Sequence, residues 1–531
     1  MSASTGFHTA PIGDRPTKNI LLTIVKDVDA NRDHLIKHLG EVTAEMVLGH
    51  MHEEHVSGRY REFNLLRGDQ DRHGFEWILL MGLGDEKDLT HPHKLHDRLR
   101  GSVATAARLF RRKHIEDFAV DDFSDFGVEP RASGRLIAEG LILGTYRFER
   151  YKSEKNRKYR HSPGISAVHV LTDDDPDAVA RGMHEGSARA RSACLSRDLV
   201  NTPAQDCNPE SFAAEAQRVA DESDGLSCQI LTREDMEREG MGLHLAVGRG
   251  SCHAPRVAIL SRTPRGKEAG FDLALVGKGV TFDSGGYDLK PSAAMFGMHG
   301  DMAGAAAVIG AMQAIDALNL PLNVVGLMPL AENLVNSVAY KCADVLKSHK
   351  GTTVEIGNTD AEGRLLLADS LSYACDNFKP SYVVDLATLT GAVVGALGRF
   401  VSGMFVSGND AEIREELAQS LSACGKESGE LLWQLPLYDD YRLQLGSSVA
   451  DLSNCDTDRG AGAGAITAAI FLKQFVDFDV VKGWAHLDIA GTSTVDRRIV
   501  YNKAPYLPRE GATGFGVRTL VSLAEDIASR L

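Results

Sequence analysis

The stretch Thr352-Thr353-Val354-Glu355-Ile356-Gly357-Asn358-Thr359-Asp360-Ala361-Glu362-Gly363-Arg364-Leu365 decides how this chain is read. Its first five residues are short and mostly β-branched, a strand pattern, while Leu365, Leu366, Ala368, Leu371 and Ala374 recur at helical spacing as far as Phe378. Asp360 and Glu362 are therefore predicted on the loop leaving a strand and in the first turn of a helix. In an open α/β sheet that loop lies at the carboxyl edge of the strands, where such folds bind ligands. Two carboxylates two residues apart repel each other, and Arg364 alone supplies one fixed positive charge, so a bound cation is the economical balance. A lone Asp-x-Glu is usually solvated surface, and the reading depends on a second stretch.

That stretch runs from Leu273 to Asp301. Leu273-Ala274-Leu275-Val276 reads as a buried strand, followed by a glycine-rich loop carrying Lys278, Asp283, Lys290 and Asp301, and then by a helix of small residues from Met302 to about Ala317. Glycines at 277, 279, 285 and 286 let the backbone turn sharply beside a ligand. Asp283, Asp301, Asp360 and Glu362 together would over-neutralise one divalent ion but balance two. Two such ions about 3.5–4 Å apart can share a water and lower its pKa toward neutrality.

On these residues the chain resembles the leucyl aminopeptidase (cytosol aminopeptidase) family of dinuclear metallopeptidases. The spacing of Lys278, Asp283, Lys290 and Asp301 fits, and Asn358 to Leu365 matches the family signature at every position. Arg197 to Pro203, Ala331-Glu332-Asn333, Ala387 to Gly391 and Trp484 to Gly491 extend the match from about residue 195 to the end. Tyr340-Lys341-Cys342-Ala343-Asp344 departs from the commoner Tyr-Arg-Pro-Gly-Asp, and His299-Gly300-Asp301-Met302-Ala303-Gly304 from a basic residue followed by Ala-Asp-Met-Gly-Gly.

The resemblance implies an aminopeptidase that cuts the N-terminal peptide bond of peptides and prefers leucine and other neutral residues. In it Asp283 and Glu362 bridge two ions, Asp360 completes one, and Asp301 with Lys278 completes the other. A lysine ligates only as the neutral amine; a salt bridge from Lys278 to one of the aspartates is the alternative use. Lys290 stays charged and meets the substrate carbonyl, where a preorganised cation is worth a few kcal/mol of barrier. Arg364 cannot give up its proton, and the resemblance has it clamp a bicarbonate that carries the proton to the leaving amine. Met298, Thr388, Leu389, Gly391 and Ala512 stand at the positions of the family's side-chain pocket, which separates similar aliphatic groups by only about 1–3 kcal/mol. Zinc or manganese is implied, magnesium and cobalt also accepting these oxygen ligands, and a homo-hexamer is the family's usual assembly.

The remaining sequence frames that expectation. With 43% hydrophobic and 25% charged residues the composition is that of a globular protein. The net charge of −15 argues against a nucleic-acid footprint or an anionic membrane surface. Residues 1 to 165 balance at +1 and the rest carry −16, so neither half supplies the basic groove that a DNA-binding role on this fold would need. Tyr151 to His161 is the one basic run interleaved with tyrosines, and reads as an exposed interdomain or subunit-facing loop.

Eight cysteines without a Cys-x-x-Cys pair read as reduced thiols. No apolar run approaches the roughly 18 residues needed to cross a bilayer, and the first twenty lack a signal-peptide core. A cytoplasmic protein is expected. The chain does end Ser529-Arg530-Leu531, close to the peroxisomal Ser-Lys-Leu, although helical spacing from Val521 onward lets the tripeptide finish a packed helix.

The predicted architecture is α/β in two domains: a smaller N-terminal α/β domain over 1–170, a connecting helix over 171–200 that follows Asp173-Asp174-Asp175-Pro176, and a catalytic domain over 201–531 whose central mixed sheet is flanked by helices. In the first domain strands are expected at Ile20–Val25, Glu76–Gly84 and Asp117–Phe123, with helices at Asp33–Met51, Leu95–Arg112 and Arg135–Arg150. Thirteen of the 19 histidines precede residue 170. The clusters His50, His52, His55 and His91, His93, His96 lack the four-residue spacing of a zinc helix and read as surface.

Overall fold

Asn19–Val25 and Leu273–Gly277 are buried at every position, the pattern of strands covered on both faces. The computed structural model describes residues 5–12, 14, 16–157, 164–456, 462–496 and 504–531. These fall into two compact units, one within Met1–Arg191 and Tyr501–Pro508, the other within Ser192–Val500 and Arg509–Leu531. The division falls inside the helix Pro176–Asn201, and a short late segment groups with the first unit, which a linear reading of the sequence did not assign.

The first unit holds a six-stranded sheet of β1 (Gly6–Ala10), β2 (Asn19–Val25), β3 (Phe63–Arg67), β4 (Trp77–Gly84), β5 (Asp117–Asp121) and β6 (Ala167–Leu171), in the order β1-β6-β5-β2-β4-β3. All neighbours are parallel except β3, which runs antiparallel to β4 at the edge. Alternate residues serve opposite faces, as the two-residue period of a strand requires: Leu21, Leu79 and Val120 join one core, Ile20, Leu22, Ile78 and Leu80 the other. The long helix predicted from Asp33 to Met51 is two, Arg32–Leu39 and Glu41–Glu53, because Gly40 turns the chain at φ 79°. Strands β1, β3 and β6 were not expected; β1 and β3 lie at the sheet's edges, and each of the three is five residues long and interrupted by at least one polar residue.

The second unit contains β7 (Ser227–Leu231), β8 (Arg256–Arg262), β9 (Leu273–Gly277), β10 (Gly279–Asp283), β11 (Val324–Asn333), β12 (Val345–Lys347), β13 (Thr353–Glu355), β14 (Tyr382–Ala387), β15 (Ser402–Gly408), β16 (Leu432–Gln434), β17 (Leu452–Ser453) and β18 (Gly483–Asp488). The central mixed sheet runs β16-β15-β18-β14-β9-β11-β8-β7, with β10 beside β11. Strands β9, β10, β11, β14 and β18 are mutually parallel where they pair, so their carboxyl ends share one edge.

One expectation fails here. The strand that leads into the octapeptide, β13, is no part of the central sheet but pairs with β12 and β17 in a three-stranded sheet. Of its three residues only Val354 is buried, so it has one apolar face and cannot be covered on both sides as the central strands are.

Candidate active site

The site is assembled at the carboxyl edge of the parallel strands, the usual ligand edge of such sheets. Lys278 follows β9, Asp283 ends β10, Asn333 ends β11 opposite Asp283, and Asp488 ends β18. Asp301 closes the short turn Met298–Gly300 ahead of the helix Ala303–Ala317, which packs against β9. Asp360 and Glu362 come from the loop after β13, Glu362 capping the helix Gly363–Phe378. Elements about eighty residues apart thus converge.

One oxygen from each of Asp283, Asp301 and Glu362 lies within 4.8 Å of the other two. Lys278 Nζ stands between Asp301 Oδ2 at 2.7 Å and Glu362 Oε1 at 2.9 Å. Lys290 Nζ reaches Asp283 Oδ2 at 2.8 Å and also contacts Asp360 Oδ1. Burial pushes the Glu362 carboxyl up to about 8 and that of Asp301 up to about 6, the neighbouring Asp283 adding to each. Asp360 is raised by burial as well. Although burial opposes their charge, the surrounding carboxylates hold both lysines protonated well above the usual lysine range.

The donor set fits a pair of divalent ions. Four carboxylates crowd one pocket, and Glu362 Oε2 is buried with no hydrogen-bond partner, an acceptor whose desolvation is otherwise uncompensated. Hard oxygen donors with one amine suit zinc, manganese or similar ions.

Glycines make the convergence possible. A Cβ on Gly363 would lie 2.3 Å from Lys278 Cε, so the lysine passes only because the octapeptide has no side chain there. Gly285 adopts φ +88°, and a Cβ on it would lie 2.9 Å from Asp360 Oδ1.

A second set of residues holds the first in place. Asn333 Nδ2 donates to Asp283 Oδ1 at 2.9 Å and to Thr359 O at 3.0 Å, and Tyr340 Oη donates to the same carbonyl at 2.7 Å. Thr359 Oγ1 donates to Gly285 O at 2.7 Å, stitching the two loops together. Asn454 clamps the octapeptide, donating from Nδ2 to Asn358 O at 2.7 Å and accepting from Gly357 N at 2.8 Å. Nothing in the sequence pointed to Asn454, which carries no motif and lies some ninety residues downstream; only the pairing of β17 with β13 brings it here.

Beside the carboxylates opens a cavity of about 450 Å³ lined in part by Asp360, Arg364, Leu389, Gly391, Cys455 and Thr467. Arg364 donates from Nη1 to Asn454 O at 2.8 Å, while its Nε is buried without a partner. Of the five pocket positions drawn from the sequence, Leu389 and Gly391 line this cavity, and Thr388 donates from Oγ1 to Asp301 Oδ1 at 2.7 Å. Met298 opens the turn ahead of Asp301, and Ala512, fully buried, lies on a two-stranded hairpin whose backbone donates to Asn201; neither lines the cavity. Asp488 shapes the same wall, accepting from Thr390 Oγ1 at 2.6 Å and Leu389 N at 3.2 Å.

Elsewhere, residues 158–161 of the basic run and Arg459 to Ala461 of the glycine-rich stretch lie outside the described residues. Ser529 caps the helix Val517–Ala528, and Arg530 pairs with Asp526 at 2.8 Å and with Glu416, so the final tripeptide does finish a packed helix. Among the described residues no helix is long and apolar enough to cross a membrane.

Comparison with known proteins identifies the family. Residues 194–521 match the cytosol aminopeptidase family, catalytic domain, and residues 28–155 the family's N-terminal domain. The chain is 41% identical over 452 residues to a probable cytosol aminopeptidase of Desulforapulum autotrophicum, covering 85% of this chain and 83% of that one. With the probable cytosol aminopeptidase of Geotalea uraniireducens it shares 39% over 516 residues, 96% and 98% of the two chains. Among solved structures, a mutant of tomato leucine aminopeptidase superposes with a TM-score of 0.82 at 30% identity, covering 99% and 97%. The bottromycin maturation enzyme BotP in complex with Mn superposes at 0.79 and 33%, covering 96% and 99%. With both family domains matched across the chain and a carboxylate–lysine cluster suited to divalent ions, this protein belongs to the cytosol aminopeptidase family and is a metallo-aminopeptidase.

Proposed function

We propose that the protein releases neutral N-terminal residues, leucine among them, from peptides, with Asp283, Asp301, Asp360 and Glu362 holding two divalent ions and Lys278 joining them as the neutral amine once a bound ion replaces its proton between Asp301 and Glu362. Zinc or manganese suits these ligands, and BotP has been solved with Mn. Two ions in this set supply Lewis acidity and an ionised water near neutral pH. The single observation that carries the reading is the clustering of Asp283, Asp301 and Glu362, all buried, with Lys278 inside it and Lys290 at its rim.

Lys290 keeps its proton and presents a fixed positive charge where a scissile carbonyl oxygen gains negative charge. Asp360 and Asp283 hold its ammonium in place. The unpartnered Nε–H of Arg364, at the cavity wall, supports a small anion there, bicarbonate by resemblance. Leu389 and Gly391 give that cavity an apolar flank for an aliphatic side chain, whereas Thr388, Met298 and Ala512 are assigned to the pocket by the family resemblance alone. The protein is cytoplasmic, in keeping with relatives named cytosol aminopeptidases. A homo-hexamer is the assembly proposed, with peptides as partners and no nucleic acid.

The test is hydrolysis of leucine anilide by metal-stripped protein with manganese or zinc restored, beside Asp360→Ala. Restored turnover in the parent and a loss of at least a hundredfold in the variant are expected; turnover indifferent to metal or to Asp360 would overturn the reading.

A further inference from the structure

A second buried group of ligand-type side chains lies within the N-terminal unit and contributes nothing to the candidate active site. His34 and His38 are four apart on the helix Arg32–Leu39, hence on one face. Asp121 is the last residue of β5. The sheet reverses its winding between β2 and β5: the chain leaving β2 continues to β3 and β4 on one side, and the chain leaving β5 continues to β6 on the other. A crevice opens at the carboxyl ends of such a strand pair and is where open α/β sheets take ligands. The helix that bears both histidines is the segment that follows β2.

One ligand atom from each of His34, His38 and Asp121 lies within 4.8 Å of the other two, and all three residues are buried. His34 is 9% exposed, His38 0% and Asp121 1%. Their polar atoms lack hydrogen-bond partners: His34 Nε2, both ring nitrogens of His38 and both oxygens of Asp121. Buried groups of this kind are ordinarily paired or bound to a metal.

Asp125 shows which His34 nitrogen is available. Its Oδ2 lies 2.6 Å from His34 Nδ1, its Oδ1 accepts from Lys37 Nζ at 2.7 Å, and Oδ2 lies 3.5 Å from His38 Nε2. A proton on Nδ1, donated to Asp125, leaves the lone pair on the unpartnered Nε2. A carboxylate behind the imidazole is the arrangement that orients histidine toward a metal.

We propose that His34, His38 and Asp121 form a divalent transition-metal site at this switch point, holding zinc or another ion that favours imidazole, with water as the remaining ligand. The ion ties the helix Arg32–Leu39 to the end of β5. Without an ion, a protonated histidine paired with Asp121 is the competing account, and that account retains no metal.

The experiment uses the full chain carrying Asp283→Ala, Asp301→Ala, Asp360→Ala and Glu362→Ala, which removes every catalytic carboxylate, and the ion assigned to this site is the one that Asp121→Asn or His34→Gln releases from that background. After dialysis against micromolar zinc, metal analysis should find about one zinc per chain, falling by at least tenfold in retention when Asp121→Asn or His34→Gln is added. Cobalt in the same background should develop the intense visible absorption of a low-coordinate site, displaced by zinc, a readout that needs no further variant. Retention of less than a tenth of an equivalent, cobalt absorption no stronger than that of the hydrated ion, or retention unchanged by both substitutions would each overturn the proposal. In the otherwise native chain Asp121→Asn should leave leucine anilide turnover within twofold.

Discussion

The two buried acid clusters of this molecule differ in how their charge is met. In the catalytic unit both lysines sit against the carboxylates, and cations and anions come from loops that other residues pin down. In the N-terminal unit His34 Nε2, both ring nitrogens of His38 and both oxygens of Asp121 have no hydrogen-bond partner, and the nearby ammonium of Lys37 is paired with Asp125. A cluster that includes the fixed charge of Lys290 can polarise a substrate as well as hold an ion, whereas His34, His38 and Asp121 offer ligand atoms and no ammonium. The contrast separates a site built for chemistry from one built for holding.

The largest effect that could break this contrast is at Lys290. If its charge acts on the substrate rather than merely neutralising Asp283 and Asp360, Lys290→Ala should lower kcat by about 10²–10³ with a smaller change in KM. Steady-state kinetics at saturating metal check it, and an unchanged kcat would reduce Lys290 to a counter-ion.

Next comes the packing that lets Lys278 enter. Gly363→Ala places a methyl 2.3 Å from Lys278 Cε, so the lysine must move away from Asp301 and Glu362. A loss of about 1–3 kcal/mol in stability is expected from such overpacking, with turnover reduced at least tenfold at limiting metal. Denaturant unfolding and a metal titration measure the two parts.

A third test uses a buried histidine that does have its partner. His244 Nε2 lies 3.0 Å from Leu330 O, and burial pushes the imidazole down to about 4. Because the folded state binds its proton later than the unfolded chain, this histidine's contribution is complete above about pH 6.5 and fades as pH falls toward 4. The Tm advantage of the parent over His244→Gln should therefore shrink between pH 7 and 4.5. A constant difference across that range would show the histidine charging freely in the fold.

The smallest effect is at Ala343, which adopts φ 68° where the commoner family sequence has glycine. Left-handed backbone strains a residue bearing a Cβ, so Ala343→Gly should stabilise by about 0.5–1 kcal/mol, the relief of strain exceeding the added chain entropy. Chemical denaturation resolves a shift of that size.

Much of the catalytic centre was legible because its ligands lie in two compact segments, 278–301 and 358–365, whose residue types need a cation at that spacing. The helix after the octapeptide followed from apolar periodicity, the helix from Met302 from its small residues, and the buried central strands from unbroken apolar runs. Less was legible in the N-terminal unit: three five-residue strands, each interrupted by polar residues, went unseen, and the histidine clusters at 50–55 and 91–96 drew the metal reading, and failed it, while His34 and His38 passed unremarked. Their partner Asp121 is 83 residues away, and nothing local marks it.

What the sequence alone determined, then, is the chemistry available: four carboxylates, two lysines and an arginine on strand-to-helix loops, in an acidic α/β chain. What only the tertiary structure decided is proximity. It placed β13 outside the central sheet, brought Asn454 under the octapeptide, put Lys278 through the gap at Gly363, and set two histidines over the end of β5. The physical reason is that residue type and local period are written along the chain, whereas contacts between segments eighty or more residues apart depend on which sheets the strands join.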